Sequence, residues 1–479
     1  MVADVFIGKY DAGDENKLDL LLINPSLNWE LDQKNKMNVR IEKDIPNQET
    51  PHIGIAYLLA IAKKEGLKVK YIDMVIDCFS IEQLIDFVSK TKPAVVGFTA
   101  FTIQVRTAAF IAEKIKHTLP EVKICVGGPH VTAIPKETLD EFPWFDFVIS
   151  GEGEEVLPKI FDSLGNDQAL SRINGVITRM TEKVIVGASN NPILNLDSLP
   201  FPAWQEFNLS KYPGTYPHRT NLELPMVTGR GCPYRCVFCC RALGSTVRHR
   251  SVLSVIAEIE RNISEFNCKS VAFLDETFLI NMAWVDEFLN VFVDRGLHKK
   301  ITWSCSTRVS DMSLELLKRM RNAGCYFIFF GLESADDQTL KLIKKNITTK
   351  QIEDVVRWTK LAGIIPVGAF IIGLPGDTEK HVMKAIAMAE KLDLYSVTFP
   401  IAVPFPGTEL RQMALRGEYG MKIVSDNWSH YGKQDPGVME SKELSWSKRK
   451  ELQQMAYLRN PKKKIADYLQ RLSQNITNI

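Results

Sequence analysis

The sequence of 479 residues has almost no excess charge of either sign, because 59 lysines and arginines are balanced by 57 aspartates and glutamates, a net of +2. So close a balance gives no reason to expect nucleic acid or a membrane surface as the main partner. Apolar residues make up 45% of the chain, which excludes a disordered chain or a fibre. The composition is that of a globular protein with room for two or three domains.

Long apolar runs are also missing. The most apolar stretches, 95–103 and 364–374, are shorter than the roughly 18–20 residues that a membrane helix needs. Residues 1–14 carry acidic side chains and have no apolar centre, so they do not resemble a signal peptide. We therefore predict a cytoplasmic protein without a membrane span.

Cysteine is present in an odd number, nine, and four of the nine lie between Cys232 and Cys240. This pattern makes a poor disulfide framework and a good metal site. Thiolate ligands select zinc or iron–sulfur, but structural zinc needs four protein ligands, and no second pair accompanies the loop. Cys232, Cys236 and Cys239 have the spacing C-x3-C-x2-C, and three cysteines would leave one iron of a [4Fe–4S] cluster without a protein ligand. A zinc knuckle is the structural alternative, and Cys240 stays unassigned.

Short apolar runs alternate with amphipathic stretches in the first third of the sequence. This alternation predicts an α/β domain with a parallel, doubly wound, Rossmann-like sheet. The predicted strands are Leu18–Ile23, Val69–Ile72, Ala94–Thr99, Lys123–Val126 and Phe147–Ile149. Ligands of such sheets bind beyond the carboxyl ends of the strands, where small and turn-forming residues follow here.

A second alternating series follows a proline-rich segment. Its predicted strands are 225–228, 271–274, 301–304, 326–330, 367–372 and 396–401. Six βα units predict a partial (β/α)6 barrel with its site at the strand carboxyl ends. We divide the chain into a doubly wound domain at 15–170, a hairpin and linker at 171–210, the barrel at 211–410 and a C-terminal helical segment at 411–479.

The cysteine loop, placed after the first barrel strand, resembles the cluster motif of the radical S-adenosylmethionine (SAM) enzymes. Further motifs follow in order at Phe273–Phe278, Ser306–Val309, Phe330–Ser334, Gly368–Gly376 and Pro404–Leu410. The resemblance implies that Cys232, Cys236 and Cys239 hold a [4Fe–4S] cluster. It also implies that SAM chelates the open iron and is cleaved to a 5′-deoxyadenosyl radical.

The same resemblance places SAM at the ends of the barrel strands. Phe238 would lie beside the cluster and help to position the adenine, while Arg308 and Glu333 would hold polar parts of SAM. The adenine site would be lined by Ile371, Ile372, Gly373, Ala402 and Val403. The structural alternatives are a core position for Phe238 and an ion pair for Arg308 or Glu333. Asp275 and Glu276 are the catalytic candidates, which would either bind substrate or only cap the next helix.

The parallel sheet that precedes the barrel resembles the cobalamin-binding domain of the B12-dependent radical SAM enzymes. Glycine-rich turns at strand ends let backbone N–H groups approach a large ligand and its phosphate. The residues implied are Thr99, Thr102, Gly127, Gly128, His130, Gly151, Glu152 and Gly153. The D-x-H-x-x-G pattern, which supplies a lower axial histidine in cobalamin mutases, is absent. Its absence agrees with the radical SAM branch and leaves open a domain that has lost the cofactor.

Together the resemblances imply an enzyme that methylates an unactivated carbon. A methyl group would pass from one SAM to cobalamin and then to a substrate radical made with a second SAM. The substrate would be an unknown small molecule, lipid or peptide, and the electron donor a flavodoxin or ferredoxin, with no nucleic acid involved. One alternative uses the same cofactors for oxidation, cyclisation or carbon–carbon bond formation. Another is a non-catalytic, cobalamin-binding sensory protein.

Overall fold

The computed structural model describes residues 17–27, 50–77, 79–180, 183–186, 190–212, 214, 222–310, 312–432 and 437–477. The chain divides into two compact units. The first is Met1–Leu194 with Ser198–Tyr212, and the second is Asn195–Asp197 with Pro213–Ile479.

A seven-stranded sheet forms the centre of the first unit. In chain order its strands are β1 (Leu20–Asn24), β2 (Val69–Asp73), β3 (Val95–Thr99), β4 (Lys123–Gly127), β5 (Phe147–Ile149), β6 (Val176–Met180) and β7 (Lys183–Val186). Their order across the sheet is β2-β1-β3-β4-β5-β6-β7, and β1 to β5 are parallel. This confirms the predicted doubly wound sheet, with the antiparallel β6–β7 hairpin added at one edge.

Helices cover the sheet because its central strands are mostly apolar. Every residue of β1 and β3 is buried, as parallel strands with both faces covered require. The helices are Ile53–Lys64, Met74–Asp77, Ile81–Thr91, Val105–Thr118, Pro129–Ala133, Pro135–Glu141, Leu157–Asp162 and Asp167–Leu170. The helices Met74–Asp77, Val105–Thr118, Pro129–Ala133 and Leu157–Asp162 come after β2, β3, β4 and β5, so the turns that carry the predicted cobalamin residues lie between strand ends and helices.

The second unit contains an open, six-stranded parallel sheet. In chain order its six strands are β8 (Glu223–Met226), β11 (Ser270–Phe273), β12 (Thr302–Thr307), β13 (Cys325–Glu333), β14 (Ile365–Phe370) and β15 (Ser396–Thr398). Between β8 and β11 the chain forms a separate, short antiparallel pair, β9 (Gly229–Arg230) and β10 (Arg248–His249). The order across the main sheet is β15-β14-β13-β12-β11-β8. Because β8 and β15 are its two edges, the sheet is the partial barrel that the sequence predicts.

Helices again separate the strands. They are Val252–Phe266, Met282–Asp294, Leu314–Asn322, Asp337–Leu342, Thr349–Leu361, Glu379–Leu392, Glu409–Leu415, Trp446–Arg459 and Ile465–Thr477. The side chains of Ser251, Asn281 and Ser313 accept backbone N–H groups at the starts of the first three. Within the described ranges, no helix is long and apolar enough to cross a membrane.

Candidate functional site

The three cysteines with the predicted cluster spacing lie on the loop that follows β9. The Cys232 N–H donates to the Gly244 carbonyl at 3.2 Å, and the Cys239 N–H donates to the Cys236 carbonyl at 3.1 Å. All three are free thiols. In the part of the chain that the structure describes, no three His, Cys, Asp or Glu side chains already converge as a metal site. The three thiols are soft donors that suit an iron–sulfur cluster, and hydrogen bonds of the loop's own turn hold their backbone.

Solvation and neighbouring charge act on these thiols. Loss of solvation raises the pKa of Cys232; Cys236 adds to the rise, and Arg308 opposes it. Loss of solvation, followed by the charges of Cys236 and Cys232, raises the pKa of Cys239 to about 11, and Lys345 opposes that shift. Because iron binds the thiolate, burial of these two thiols opposes the form that a cluster requires, and the nearby cations only reduce that opposition.

Arg308, which follows β12, is directed at the cysteine loop. Its Nη1 donates to Cys236 Sγ at 3.3 Å, and its guanidinium lies 3.8 Å from the centre of the Tyr234 ring. Its Nη2 donates to the backbone carbonyl of Lys345. The structure thus places this residue, predicted to hold a polar part of SAM, against one of the three cysteines. Such a charge-assisted hydrogen bond stabilises a thiolate.

Glu333 and Lys345 form a buried ion pair, with Glu333 Oε1 2.7 Å from Lys345 Nζ. Glu333 ends β13 in a left-handed conformation, at φ 64°, where the pairing with β14 shifts register. A Cβ atom added at Gly331 would lie 2.8 Å from Lys345 Nζ, so the glycine makes room for the pair. Sequence reasoning missed Lys345, because two adjacent lysines after a helix are typical of a solvated surface.

Backbone hydrogen bonds bring the predicted adenine segment together at one sheet edge. The Ile371 N–H donates to the Glu333 carbonyl at 2.9 Å, and the Ala402 N–H donates to the Ile372 carbonyl at 2.8 Å. Ile372, Ala402 and Val403 are buried. Phe238 lies in the cysteine turn itself, between Cys236 and Cys239, and is half-buried.

Asp275 follows β11, and its buried carboxylate faces the start of the cysteine loop. Its Oδ1 accepts hydrogen bonds from Thr228 Oγ1 at 2.7 Å, Gly229 N–H at 2.6 Å and Thr228 N–H at 3.1 Å. Burial raises the pKa of Asp275 to about 6, and these donors oppose the shift. This candidate catalytic carboxylate is therefore engaged with the backbone ahead of Cys232. The other candidate, Glu276, is exposed.

In the first unit, predicted cobalamin residues lie on the neighbouring ends of β3 and β4. The Ala100 N–H donates to the Gly127 carbonyl at 2.9 Å, and His130 Nδ1 lies 3.3 Å from Thr102 Oγ1. Gly128 has a φ of 103°, and a Cβ atom there would lie 2.9 Å from both the backbone N and O of Ala100. Only glycine fits this position without moving the backbone.

The turn after β5 carries the rest of the predicted cobalamin residues. Gly151 has a φ of 84°, and its N–H donates to Thr132 Oγ1 at 3.0 Å. Glu152 is buried, and its Oε2 accepts the Ile193 N–H at 3.3 Å. Gly153 follows, and its carbonyl accepts N–H groups at the start of the next helix. The Glu152 carboxylate is thus engaged inside the unit, while the two glycines shape the backbone of the edge.

His52 lies at the same edge, beside Thr99. Its Nε2 is 3.4 Å from Thr99 Oγ1, and its Nδ1 accepts the Ile55 N–H at 3.3 Å, which caps the helix Ile53–Lys64. Burial lowers the pKa of His52 to about 4, so the ring is neutral near pH 7. Because Nδ1 accepts a hydrogen bond, Nε2 carries the proton. His52 is not among the cobalamin residues predicted from the sequence.

The ends of β1 and β2 are occupied by hydrogen bonds inside the unit. The buried Asp73 carboxylate accepts from Asn24 Nδ2 at 3.1 Å and from the hydroxyls of Tyr71 and Tyr212, each at 3.0 Å. Gln104 Nε2 donates to Asn24 Oδ1 at 2.9 Å. These polar groups at the ends of β1 and β2 are paired with one another. The predicted cobalamin residues lie instead at the ends of β3, β4 and β5.

Comparison with known proteins gives a family match within each unit. The B12 binding domain matches residues 46–161, and the Radical SAM superfamily matches residues 226–389. An uncharacterized methyltransferase of Pyrococcus horikoshii is 33% identical over 413 residues, which cover 85% of this chain and 87% of that protein. The cytidylyl-2-hydroxyethylphosphonate methyltransferase of Streptomyces wedmorensis is 26% identical over 468 residues, with 86% and 84% covered.

A solved structure shows the same fold. It is the radical S-adenosylmethionine methyltransferase TsrM of Kitasatospora setae, determined with cobalamin and a [4Fe–4S] cluster bound. The TM-score is 0.68 at 18% sequence identity, and the match covers 90% of this chain and 84% of that chain. At this identity the likeness concerns the fold alone.

Proposed function

The chain belongs to the family of cobalamin-dependent radical SAM enzymes, and from this premise we propose that it transfers a methyl group to an unactivated carbon of its substrate. Its cofactors are a [4Fe–4S] cluster, SAM and cobalamin. Both relatives described above are named as methyltransferases, which supports a methyl group as the unit transferred. The observation that carries the proposal is the three-thiol loop with a guanidinium nitrogen 3.3 Å from Cys236 Sγ.

We assign Cys232, Cys236 and Cys239 to hold the cluster. When bound, the cluster and SAM supply radical chemistry and cobalamin carries the methyl group, whereas the protein fixes positions and excludes water. Arg308 donates a hydrogen bond to Cys236 Sγ and so positions this side chain in the loop. Asp275 fixes the backbone of Thr228 and Gly229 ahead of the loop and acts as a positioning residue.

We assign SAM to the edge formed by Phe238, Glu333, Ile371–Gly373 and Ala402–Val403. Lys345 Nζ lies 2.7 Å from Glu333 Oε1 and so pairs with the buried Glu333 side chain at this edge. The buried apolar side chains of the adenine segment exclude water from the same edge.

We assign cobalamin to the first unit, at the ends of β3, β4 and β5. Glycine at position 128 brings the backbone of two strand ends into close contact, with no side chain between them. Thr99 and the neutral ring of His52 supply polar contacts there. Because binding of this kind is spread over many backbone contacts, we expect no single side chain to hold the cofactor alone.

The test is anaerobic turnover with SAM that carries a deuterated methyl group. The reconstituted protein, with reduced flavodoxin or dithionite as electron donor, would be incubated with the small-molecule, lipid and peptide fractions of a cell extract. We expect 5′-deoxyadenosine, S-adenosylhomocysteine and one product that carries the labelled methyl group. The matched control is the Cys232→Ala, Cys236→Ala, Cys239→Ala triple variant.

Two other outcomes would contradict the proposal. Formation of 5′-deoxyadenosine without any labelled product, in a fraction that is chemically changed, would favour oxidation, cyclisation or carbon–carbon bond formation. Cobalamin binding without reductive cleavage of SAM would favour a sensory protein. Activity with dithionite but not with flavodoxin or ferredoxin would refute only the proposed electron donor.

A further inference from the structure

Arg449, on the C-terminal helix Trp446–Arg459, is completely buried, with a relative exposure of 0%. Arginine is almost never so buried unless its charge has partners. Its Nε donates to the Leu444 carbonyl at 3.3 Å, and its Nη2 lies 3.5 Å from Ser441 Oγ. Nη1 has no hydrogen-bond acceptor among the described residues. The local hydrogen bonds therefore do not by themselves account for a buried arginine here.

The guanidinium of Arg449 lies directly against Gly373. Gly373 has a φ of 84°, and a Cβ atom added there would lie 2.5 Å from Arg449 Cζ and 2.6 Å from Nη1. Real Cβ atoms do not approach other atoms so closely, so a side chain at position 373 would displace the guanidinium. The planar group thus packs on bare backbone at the end of the segment Ile371–Gly373, which we assign to the adenine of SAM.

Asp377 holds the same turn through its backbone amides. Its Oδ2 accepts the N–H of Gly373 at 3.1 Å and the N–H of Leu374 at 2.9 Å. Burial lowers the pKa of Arg449 to about 10 and raises the pKa of Asp377 to about 7, and each group opposes the shift of the other. The turn is therefore held by a carboxylate on its amides and by a guanidinium packed against its glycine.

We propose that Arg449 is a positioning residue for SAM, which holds the Gly373 turn in the conformation that receives the adenine. This inference rests on the proposed function, because the SAM site is part of it. It extends the site to the C-terminal helix, beyond residues 226–389 that match the Radical SAM family. A planar guanidinium suits this packing, whereas a lysine ammonium is a compact, strongly hydrated charge.

The experiment compares Arg449→Met and Arg449→Lys with wild type and with Leu452→Ala. Leu452 is buried on the same helix but carries no charge, so its truncation serves as the matched control for lost packing. The dissociation constant for SAM would be measured by equilibrium dialysis on anaerobically reconstituted protein. Hydrogen–deuterium exchange of the peptide 371–377, without SAM, reports on the turn itself.

We expect Arg449→Met to raise the Kd for SAM about tenfold, which corresponds to about 1.4 kcal/mol. The Gly373 and Leu374 amides should exchange faster, with Arg449→Lys between Arg449→Met and wild type. Leu452→Ala should lower the unfolding midpoint and leave the Kd for SAM unchanged. If Arg449→Met does not fold, Arg449→Lys carries the test alone and should still raise the Kd for SAM above that of wild type and of Leu452→Ala.

Unchanged SAM affinity in a folded Arg449→Met variant with full cluster content would overturn the inference alone. Equal weakening by Leu452→Ala would also overturn it, because the effect would then belong to helix packing in general. A wild-type protein with an intact cluster that binds no SAM would overturn the proposed function, and the positioning role with it.

Discussion

The two units place their assigned cofactor residues by different physical means. In the second unit, charged side chains act on the cysteine loop, with Arg308 Nη1 3.3 Å from Cys236 Sγ and the Asp275 carboxylate on the backbone of Gly229. In the first unit, close backbone contact dominates, since a Cβ atom at Gly128 would lie 2.9 Å from Ala100. A cluster depends on a few thiolates, whereas a large corrinoid can bind through many weak contacts. Substitutions should therefore abolish function at the cysteine loop and reduce it by degrees at the strand ends.

The largest effect is expected from removal of the cluster ligands. Changing Cys232, Cys236 and Cys239 together to Ala should abolish iron and sulfide incorporation, the broad visible absorbance of the cluster and SAM cleavage. Cobalamin binding, measured by retention of the cofactor on gel filtration, should stay at the wild-type level because its residues are assigned to the other unit. Cys240→Ala is the matched control and should retain the cluster. A cluster that survives the triple substitution would refute the assignment.

A smaller but clear loss is expected from Gly128→Ala in the first unit. The new methyl group would meet the backbone of Ala100 at 2.9 Å, and a φ of 103° is unfavourable for alanine. We expect the Kd for cobalamin to rise at least about tenfold, or about 1.4 kcal/mol, while iron content stays unchanged.

Gly165→Ala is the control for Gly128→Ala. Gly165 has a similar positive φ, 85°, but no atom lies within 4 Å of the added Cβ. It should reduce stability slightly and leave cobalamin affinity unchanged. If both alanine variants bind cobalamin like wild type, close backbone contact does not determine the affinity of this edge, and the contrast between the units is wrong.

Most sheet strands could be predicted closely because they are short, largely buried apolar runs. Strand β5 has the predicted bounds, Phe147–Ile149, and β4 ends one residue later than predicted. Strand β13 begins at Cys325, one residue before the predicted 326–330, and continues to Glu333, with a register shift in its pairing with β14 between Gly331 and Glu333. The run 396–401 ends as a strand at Thr398, before Pro400, which has no N–H to donate.

The cysteine loop could be predicted because the spacing of its three cysteines within a few residues indicates the chemistry. Other site residues could not be predicted in this way. Lys345 and Arg449 occur in basic stretches that are typical of solvated helix faces, yet the fold buries both. The sequence predicts that Asp275 lies at a strand end, but it does not predict the direction in which the carboxylate points. Burial and direction depend on segments distant in sequence, such as the contact of Arg449 with Gly373.

The next effect concerns Asp275 in the second unit. Asp275→Asn replaces an acceptor of three hydrogen bonds by an amide, which should lower the free energy of unfolding by about 1–3 kcal/mol at pH 7. The pKa of Asp275 in the folded protein is about 6, above its ordinary value of 3.8, so the native state holds the extra proton. Stability should therefore fall as pH rises from about 4 to about 6, and this slope should be absent in Asp275→Asn.

Urea unfolding combined with hydrogen exchange of peptides from β11 measures this effect in the second unit separately. Asp286→Asn, which changes a more exposed carboxylate paired with Arg319, is the control and should keep the wild-type slope. An identical pH slope in wild type and Asp275→Asn would show that this carboxylate is not the titrating group.

The smallest effect is expected at His52, and its pH dependence has the opposite sign. Burial lowers the pKa of His52 from 6.5 to about 4, so its contribution to stability is complete above pH 6.5 and is lost as pH falls towards 4. Because the ring is only partly buried, we expect the free energy of unfolding of the first unit to fall by about 1 kcal/mol on this acidification. His52→Asn keeps a side-chain acceptor for the helix start and removes the titration. In His52→Asn, hydrogen exchange of peptides from the helix Ile53–Lys64 should no longer depend on pH between 4 and 6.5. Peptides from β11 should keep the pH dependence that Asp275 causes. Acidification would thus weaken the first unit while it strengthens the second, and a parallel response of both units in wild type would refute that opposition.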